Sequence, residues 1–448
     1  MSYTSLSKKD LKDMMARIGV TSLEQLFKCI PDEIKCKKDL DIPPAKTEPE
    51  LQRYFEKMSL RNTYSEYHSF LGAGAYSHYI PSVVDYLSSR GEFVSPYTPY
   101  QPEVSQGTLQ VIFEFQTLIC QLTGMDIANA SLYDGASGVA EAVMMANRIN
   151  RKNKALIAKT VHPEYRRVLR TYVKNLGIEV DEIGFAEDGR IDVDELEKKC
   201  DDKTTAVICQ SPNFFGPVED WRKISTIVHD RGAIMVAAVS EALSLGFLEP
   251  PGFLGADIVT GEGQSFGIPL SFGGPYLGFM ACRKEFVRQF PGRIAGETTD
   301  IDGRRGFVLT LSTREQHIRR ERATSNICTN QALCALRATI YLAALGREGL
   351  RELAGQNAYK ARYARDKILQ IPGVDLKFKG EFFNEFTIQL SGELKDITKK
   401  LTREKVIAGY ELENEYPELK NCLLVCVTEM HSKEDIERLK DVLKSAVL

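Results

Sequence analysis

Short apolar runs alternate with amphipathic helical segments through the middle of the chain, and this alternation is the feature that most restricts the fold. The predicted strands lie at 155–158, 179–183, 206–209 and 234–239. The predicted helices lie at 138–151, 163–176, 193–199 and 221–231. Apolar strands separated by helices indicate a parallel sheet covered on both faces. Such sheets bind ligands at the carboxyl ends of their strands, which predicts site loops at 133–138, 210–216, 240–245 and 261–272.

The composition narrows the class of protein. The chain has 448 residues, of which 43% are hydrophobic and 27% charged, as in an ordinary soluble globular protein. Its net charge of −3 argues against a nucleic-acid partner. No apolar run approaches ~18 residues and the first ten residues carry no apolar signal core, so we expect no membrane span and a cytoplasmic location. Ten cysteines predict reduced thiols, and six scattered histidines predict no metal site.

The chain divides into a large domain with a smaller unit on each side. Helices at 8–18 and 22–29 and an extended connector at 35–50 form the predicted N-terminal segment, residues 1–63. The large domain covers 64–330. Residues 331–448 form a connecting helix and a smaller C-terminal α/β domain, with strands at 384–390 and 422–428 and helices at 394–401 and 433–443.

Residues 233–279 have the layout of a pyridoxal-phosphate site, but the two residues that carry its chemistry are absent. In fold-type I pyridoxal-phosphate enzymes an Asp at the end of one strand pairs with the pyridine nitrogen, and a Lys after the next strand forms the Schiff base. The strands here are predicted at 234–239 and 257–260, and the two positions correspond to Ala237 and Gln264. Alanine offers the ring no charge, and glutamine has no nucleophilic amine.

Two glycine-containing segments leave alternatives. Gly261-x-Gly263-x-x-x-Gly267 has the wrong spacing for a dinucleotide fingerprint, so we interpret it as tight turns. The segment 134–138 precedes a predicted helix. Its amides and the Ser137 hydroxyl either hold an anion, as the corresponding loop of pyridoxal enzymes holds the cofactor phosphate, or form an ordinary loop in which Ser137 caps the helix. The absent lysine favours the ordinary loop.

Two further segments contain candidate functional side chains. The arginine-rich stretches 304–306 and 313–322 predict a solvated, ion-paired helix face, although Arg314 is also suited to binding a carboxylate through its planar fork. Prolines restrict the loop 97–106, and its candidates for a contact with another molecule are Tyr97, Tyr100, Gln101, Ser105 and Gln106.

Several long phrases resemble one family over essentially the whole chain. They are PYTPYQPEVSQG at 96–107, LTGMDIANAS at 122–131, IDGRRG at 301–306, TREQHIRR at 313–320 and SNICTN at 325–330. They are similar to glycine dehydrogenase (decarboxylating), the P-protein of the glycine cleavage system. The chain length and the missing lysine resemble subunit 1, the α or N-terminal-half subunit of the two-gene form.

This resemblance implies a fold-type I pyridoxal-phosphate transferase-like α/β fold with a mainly parallel central sheet. It also implies that pyridoxal phosphate is held by a homologous subunit 2, and that this chain binds no cofactor and is inactive alone. The expected partners are subunit 2 in an α2β2 assembly, the lipoyl H-protein and glycine. By analogy with fold-type I dimers, the loop 97–106 and Arg314 would complete the active site of the catalytic subunit.

Two other functions remain open from the sequence. A self-sufficient pyridoxal enzyme would need another lysine, for which Lys284 is the nearest candidate, at the predicted start of a surface helix. A regulatory or scaffold protein with a vestigial cofactor fold would need no lysine.

Overall fold

The computed structural model describes residues 6–38, 40–94 and 98–448. These residues divide into two compact units, one ending at Tyr64 and the other running from Ser65 to Leu448. Across the described ranges, every helix is too short or too polar to pass through a lipid bilayer.

The first unit is helical. Helix α1 (Lys8–Ile18) matches its prediction, beginning with a capping box between Ser7 and Asp10. The helix predicted at 22–29 is a shorter 3-10 turn, Leu23–Phe27. The prediction of an extended connector over 35–50 was wrong at its end, because helix α2 (Glu48–Ser59) begins there with a second capping box.

The second unit contains the remaining elements. In chain order its α-helices are α3 (Ser82–Ser88), α4 (Gly91–Val94), α5 (Gln106–Thr123), α6 (Gly135–Asn150), α7 (Pro163–Val173), α8 (Val193–Lys199), α9 (Trp221–Asp230), α10 (Gln316–Arg319), α11 (Ala332–Ile368), α12 (Leu394–Arg403) and α13 (Lys433–Val447). Its strands are β1 (His68–Ser69), β2 (Ile127–Ala128), β3 (Lys154–Ala158), β4 (Glu179–Ile183), β5 (Thr204–Gln210), β6 (Ile234–Val239), β7 (Ile258–Glu262), β8 (Gly278–Cys282), β9 (Ile294–Thr299), β10 (Arg305–Thr310), β11 (Val374–Leu376), β12 (Glu385–Leu390), β13 (Val406–Ile407), β14 (Tyr410–Glu411) and β15 (Cys422–Cys426).

The central sheet has seven strands in the order β2-β8-β7-β6-β5-β3-β4. Strands β4, β3, β5, β6 and β7 are mutually parallel, β8 runs antiparallel to β7, and the edge strand β2 runs antiparallel to β8. The side chains of β5 and β6 are buried along their whole length, as expected for strands covered on both faces. The mainly parallel sheet predicted from the sequence is therefore confirmed.

The C-terminal residues build a second, antiparallel sheet in the order β11-β12-β15-β14, with α12 and α13 packed together beside it. Helix α13 begins with the predicted capping box of Ser432 and Asp435. The long helix α11 is interrupted at Gly346, whose φ of 62° and ψ of −176° are not helical.

The arginine-rich segment is not the single helix face that its charges predicted. Arg305 begins β10, which pairs with β9 in an antiparallel hairpin. Residues 312–322 form only short 3-10 and α turns. The charge pattern was misleading because β10 pairs with β9, and β9 (residues 294–299) lies outside the arginine-rich segment.

A buried ion cluster joins the central sheet to the C-terminal sheet. The imidazole of His78 contacts Glu241, which follows β6, at 3.0 Å and Glu429, which follows β15, at 2.8 Å. Side-chain exposure is 2% for His78, 1% for Glu241 and 6% for Glu429. Burial would lower the pKa of His78, but the two carboxylates outweigh it and raise this pKa to about 10. His78 is therefore a buried cation at neutral pH.

Replacing His78 by Gln should lower the free energy of unfolding at pH 7 by ~3–5 kcal/mol, because two buried carboxylates lose their counter-ion. Since the folded-state pKa is raised from 6.5 to about 10, the stabilisation is full below pH 6.5 and disappears as the pH rises through 10. Urea denaturation across this pH range measures both effects.

The control is His68→Gln, which removes an exposed pair with Asp435 and should lower the free energy of unfolding by only ~0–1 kcal/mol. Equal losses in both variants would contradict the cluster's role.

Candidate functional site

A cavity of about 410 Å³ opens at the carboxyl edge of the central sheet. We call it the sheet-edge cavity and define it by Asp134, His162, Tyr165, Glu262 and Tyr276, all of which line it. Its position agrees with the loops predicted after the parallel strands. Among the described residues, no group of three or more His, Cys, Asp or Glu side chains is placed to hold a metal ion.

The start of helix α6 forms one wall of this cavity. The helix begins three residues earlier than predicted, at Gly135, and Asp134 is its N-cap. The Asp134 carboxylate accepts a 2.7 Å hydrogen bond from the Ser137 amide. The interpretation of Ser137 as the capping side chain was therefore wrong, because an aspartate three positions earlier already satisfies that amide.

Glu262 supplies a second carboxylate at the same helix end. It is the last residue of β7, and its side chain accepts hydrogen bonds from the amides of Gly135 at 3.1 Å and Leu277 at 2.7 Å. Burial raises the pKa of Glu262 to about 7, although the two amides oppose this shift. The sequence pattern missed Glu262, because the strand predicted at 257–260 ended before it and its partners lie more than ten residues away on either side.

Two aromatic side chains fill the space in front of the helix. His162 stacks on Tyr165 with ring centroids 5.0 Å apart and an interplanar angle of 26°. A Cβ added to Gly135 would lie 2.3 Å from the Tyr165 hydroxyl, so that hydroxyl is in close contact with the helix start. Burial lowers the pKa of His162, which keeps its ring neutral.

Gln264 lies just beyond β7 and is 2% exposed. Its amide forms a reciprocal pair with the backbone of Tyr76, accepting from Tyr76 N at 2.9 Å and donating to Tyr76 O at 3.0 Å. It also donates to the carbonyl of Ile268 at 2.7 Å. Ala237, in the middle of β6, is fully buried. Lys284, by contrast, is exposed at the start of a 3-10 helix and does not line the cavity.

The candidate loop residues belong to a different part of the molecule. Tyr100 is 49% exposed, and its hydroxyl accepts a 3.1 Å hydrogen bond from Arg293, whose guanidinium also lies over the tyrosine ring. We call Tyr100, Arg293, Glu315, His317 and Asn330 the surface cluster. Arg293 donates to Asn330 at 3.2 Å and is 3.6 Å from Glu315, and the His317 ring lies 5.1 Å from that of Tyr100. None of these residues lines the sheet-edge cavity.

The other candidate residues of the loop differ in their exposure and in their contacts. Gln101 is exposed and Ser105 is buried. The Gln106 amide exchanges two 2.8 Å hydrogen bonds with the backbone of Phe307 and so joins the loop to β10. Tyr97 lies outside the described residues.

Arg314 is buried beneath the surface cluster. Its guanidinium donates to the carbonyls of Phe290, Gly292 and Leu311. Those bonds hold the segment that leads into Arg293, and burial lowers the pKa of Arg314. Among the arginines, Arg293 is the one that contacts Tyr100. The charge pattern did not single it out, because it lies in a proline-glycine turn outside the arginine-rich stretches.

The fold has known counterparts. A crystal structure of glycine decarboxylase, the P-protein of the glycine cleavage system, in inhibitor-bound form superposes with a TM-score of 0.92 at 42% identity, covering 100% of both chains. A sphingosine-1-phosphate lyase from Burkholderia pseudomallei superposes with a TM-score of 0.68 at 15% identity, over 92% of this chain and 93% of its own. The predicted fold-type I pyridoxal-phosphate transferase-like architecture is confirmed.

Sequence comparison narrows the match to one family. The model of the family described as glycine cleavage system P-protein matches residues 1–443. The probable glycine dehydrogenase (decarboxylating) subunit 1 of Desulfitobacterium hafniense is 52% identical, with 98% of each chain covered. The protein of the same description from Bacillus cereus is 50% identical, covering 98% of this chain and 97% of its own. The chain therefore belongs to the glycine cleavage system P-protein family, in the branch of subunit 1.

Proposed function

We propose that this chain is the lysine-less, non-catalytic subunit of a heteromeric glycine decarboxylase, completing the pyridoxal-phosphate site of a homologous lysine-bearing subunit 2. The observation that carries the proposal is Gln264, whose amide is fully engaged with backbone groups at the position where a Schiff-base lysine is expected. An amide cannot form an imine with an aldehyde.

The residues present do not fit pyridoxal phosphate, the cofactor that this fold and family imply. An anchoring amine is missing at Gln264, and Ala237 offers no carboxylate to a ring nitrogen. The Gly135 and Ser137 amides, which would face a phosphate group, already donate to Glu262 and Asp134. In subunit 2 the cofactor would act as the electron sink for loss of CO2 from glycine.

The surface cluster supports the complementary part of the proposal. Tyr100 carries a hydroxyl and His317 an imidazole, and their two rings lie close together. Arg293 holds Tyr100 by donating a hydrogen bond to its hydroxyl, and Arg293 also donates a 2.6 Å hydrogen bond to the carbonyl of Cys328. Side chains held in this way lose little entropy when another protein covers them. In the proposal they reach the active site of subunit 2 in a cytoplasmic α2β2 assembly, from which the aminomethyl group passes to the lipoyl arm of the H-protein.

The proposal is tested by reconstitution. The isolated chain should show no Schiff-base absorbance with pyridoxal phosphate, no adduct after borohydride reduction, and no glycine-dependent CO2 release. Mixing it with subunit 2 should produce release well above that of subunit 2 alone. Activity of the isolated chain would contradict the proposal, as would full activity of subunit 2 without it. Co-purification without any gain in activity would favour a scaffold function.

Tyr100→Phe and Gln101→Ala should lower kcat of the reconstituted complex ~10–100-fold, because small displacements of positioning groups cost this much. Complex size, measured by gel filtration with light scattering, should not change. The matched control is Tyr359→Phe, an exposed tyrosine on α11 that packs against Phe247 and should keep full activity. Full activity in both variants would show that neither Tyr100 nor Gln101 acts in the active site of subunit 2.

A further inference from the structure

At the start of helix α6, the amide of Gly135 donates to a carboxylate of the chain itself. Helix N-termini at the carboxyl edge of a parallel sheet bind phosphates, because their free amides and the helix dipole favour negative charge. Here the Gly135 amide points at the Glu262 carboxylate rather than at open space, at 3.1 Å. Glu262 is 4% exposed and reaches the site from the end of β7, 127 residues further along the chain.

The second oxygen of Glu262 closes the arrangement. It accepts from Leu277 N at 2.7 Å, so a single carboxylate joins the end of β7, the residue before β8 and the start of α6. The Tyr165 hydroxyl lies beside Gly135, 2.3 Å from where a Cβ on that residue would be. Because the Gly135 amide already donates to Glu262, a phosphate oxygen could bind it only by displacing that side chain, and a phosphate beside the charged carboxylate would also be repelled.

We infer that Glu262 is an internal substitute for a phosphate group, and that it blocks the start of α6 in the sheet-edge cavity to phosphate-bearing ligands. The inference rests on the proposed function, in which this chain holds no cofactor, and it names the residue that enforces that state. A lysine introduced at position 264 together with an aspartate at position 237 would therefore not suffice to recover cofactor binding, since Glu262 would still occupy the anion position.

The test uses the full-length chain and its Glu262→Ala variant, with inorganic phosphate as the probe at pH 8. Removing the carboxylate frees the Gly135 and Leu277 amides, so the melting temperature should fall in chloride buffer and be partly restored by phosphate at equal ionic strength. Each hydrogen bond to a charged group lowers Kd by about tenfold or more. The variant, which has two freed amides, should therefore bind phosphate at least ~10-fold more tightly than the natural chain. Isothermal titration measures that ratio.

Glu385→Ala is the matched control. Glu385 is also buried, also accepts one backbone amide, from Ala73, and one further hydrogen bond, from Tyr76, but it lies within β12 rather than at a helix start. It should lose stability without being rescued by phosphate. If Glu262→Ala does not fold, Glu262→Ser also vacates the carboxylate position while keeping one hydroxyl, and it should show the same phosphate-dependent gain in melting temperature over the natural chain, on a smaller scale.

Three results would overturn the inference: equal phosphate affinity in the natural chain and the Glu262 variants, no rescue of either variant, or equal rescue of Glu385→Ala. Each of these leaves the partner-subunit function intact, because the natural chain would still lack the amine. A borohydride-stable adduct of the natural chain with pyridoxal phosphate would instead refute the proposed function itself.

Discussion

The buried cation of His78 between Glu241 and Glu429 is the interaction on which the rest of the second unit depends. It brings together the segment before α3, the end of β6 and the end of β15, which lie far apart in the sequence. Three buried charges are stable only when each is paired. The position of the C-terminal sheet against the central sheet is therefore set by electrostatics as well as by apolar packing.

The segment that carries His78 also explains the site. Two residues earlier, the Tyr76 backbone pairs with Gln264 and its hydroxyl donates to Glu385. Gln264 thus helps to hold the junction between the sheets. A lysine at this position could not form the same reciprocal pair, because an ammonium group donates hydrogen bonds but accepts none.

The two candidate regions differ in their chemistry. In the sheet-edge cavity, the amides at the start of α6 already donate to Asp134 and Glu262. In the surface cluster, Arg293 holds the half-exposed Tyr100, and Arg314 donates to the carbonyl of Gly292, just before Arg293. A chain whose helix-start amides are already occupied and whose exposed polar groups are held in place is suited to acting through a neighbouring subunit, as proposed.

The sequence by itself determined the parallel strands β3 to β6 and the helices between them, because apolar periodicity is a local property. It also supplied the hypothesis that Ala237 and Gln264 replace the Asp and the Lys of a pyridoxal-phosphate site, since residue types are visible without coordinates. Only the tertiary structure decided the β9–β10 hairpin, the antiparallel strand β8 between β2 and β7, and the roles of His78, Glu262 and Arg293. Each of these features depends on residues that are distant in the chain. The partner of a charged side chain or of a strand is known only once the folded sheets bring the two partners together.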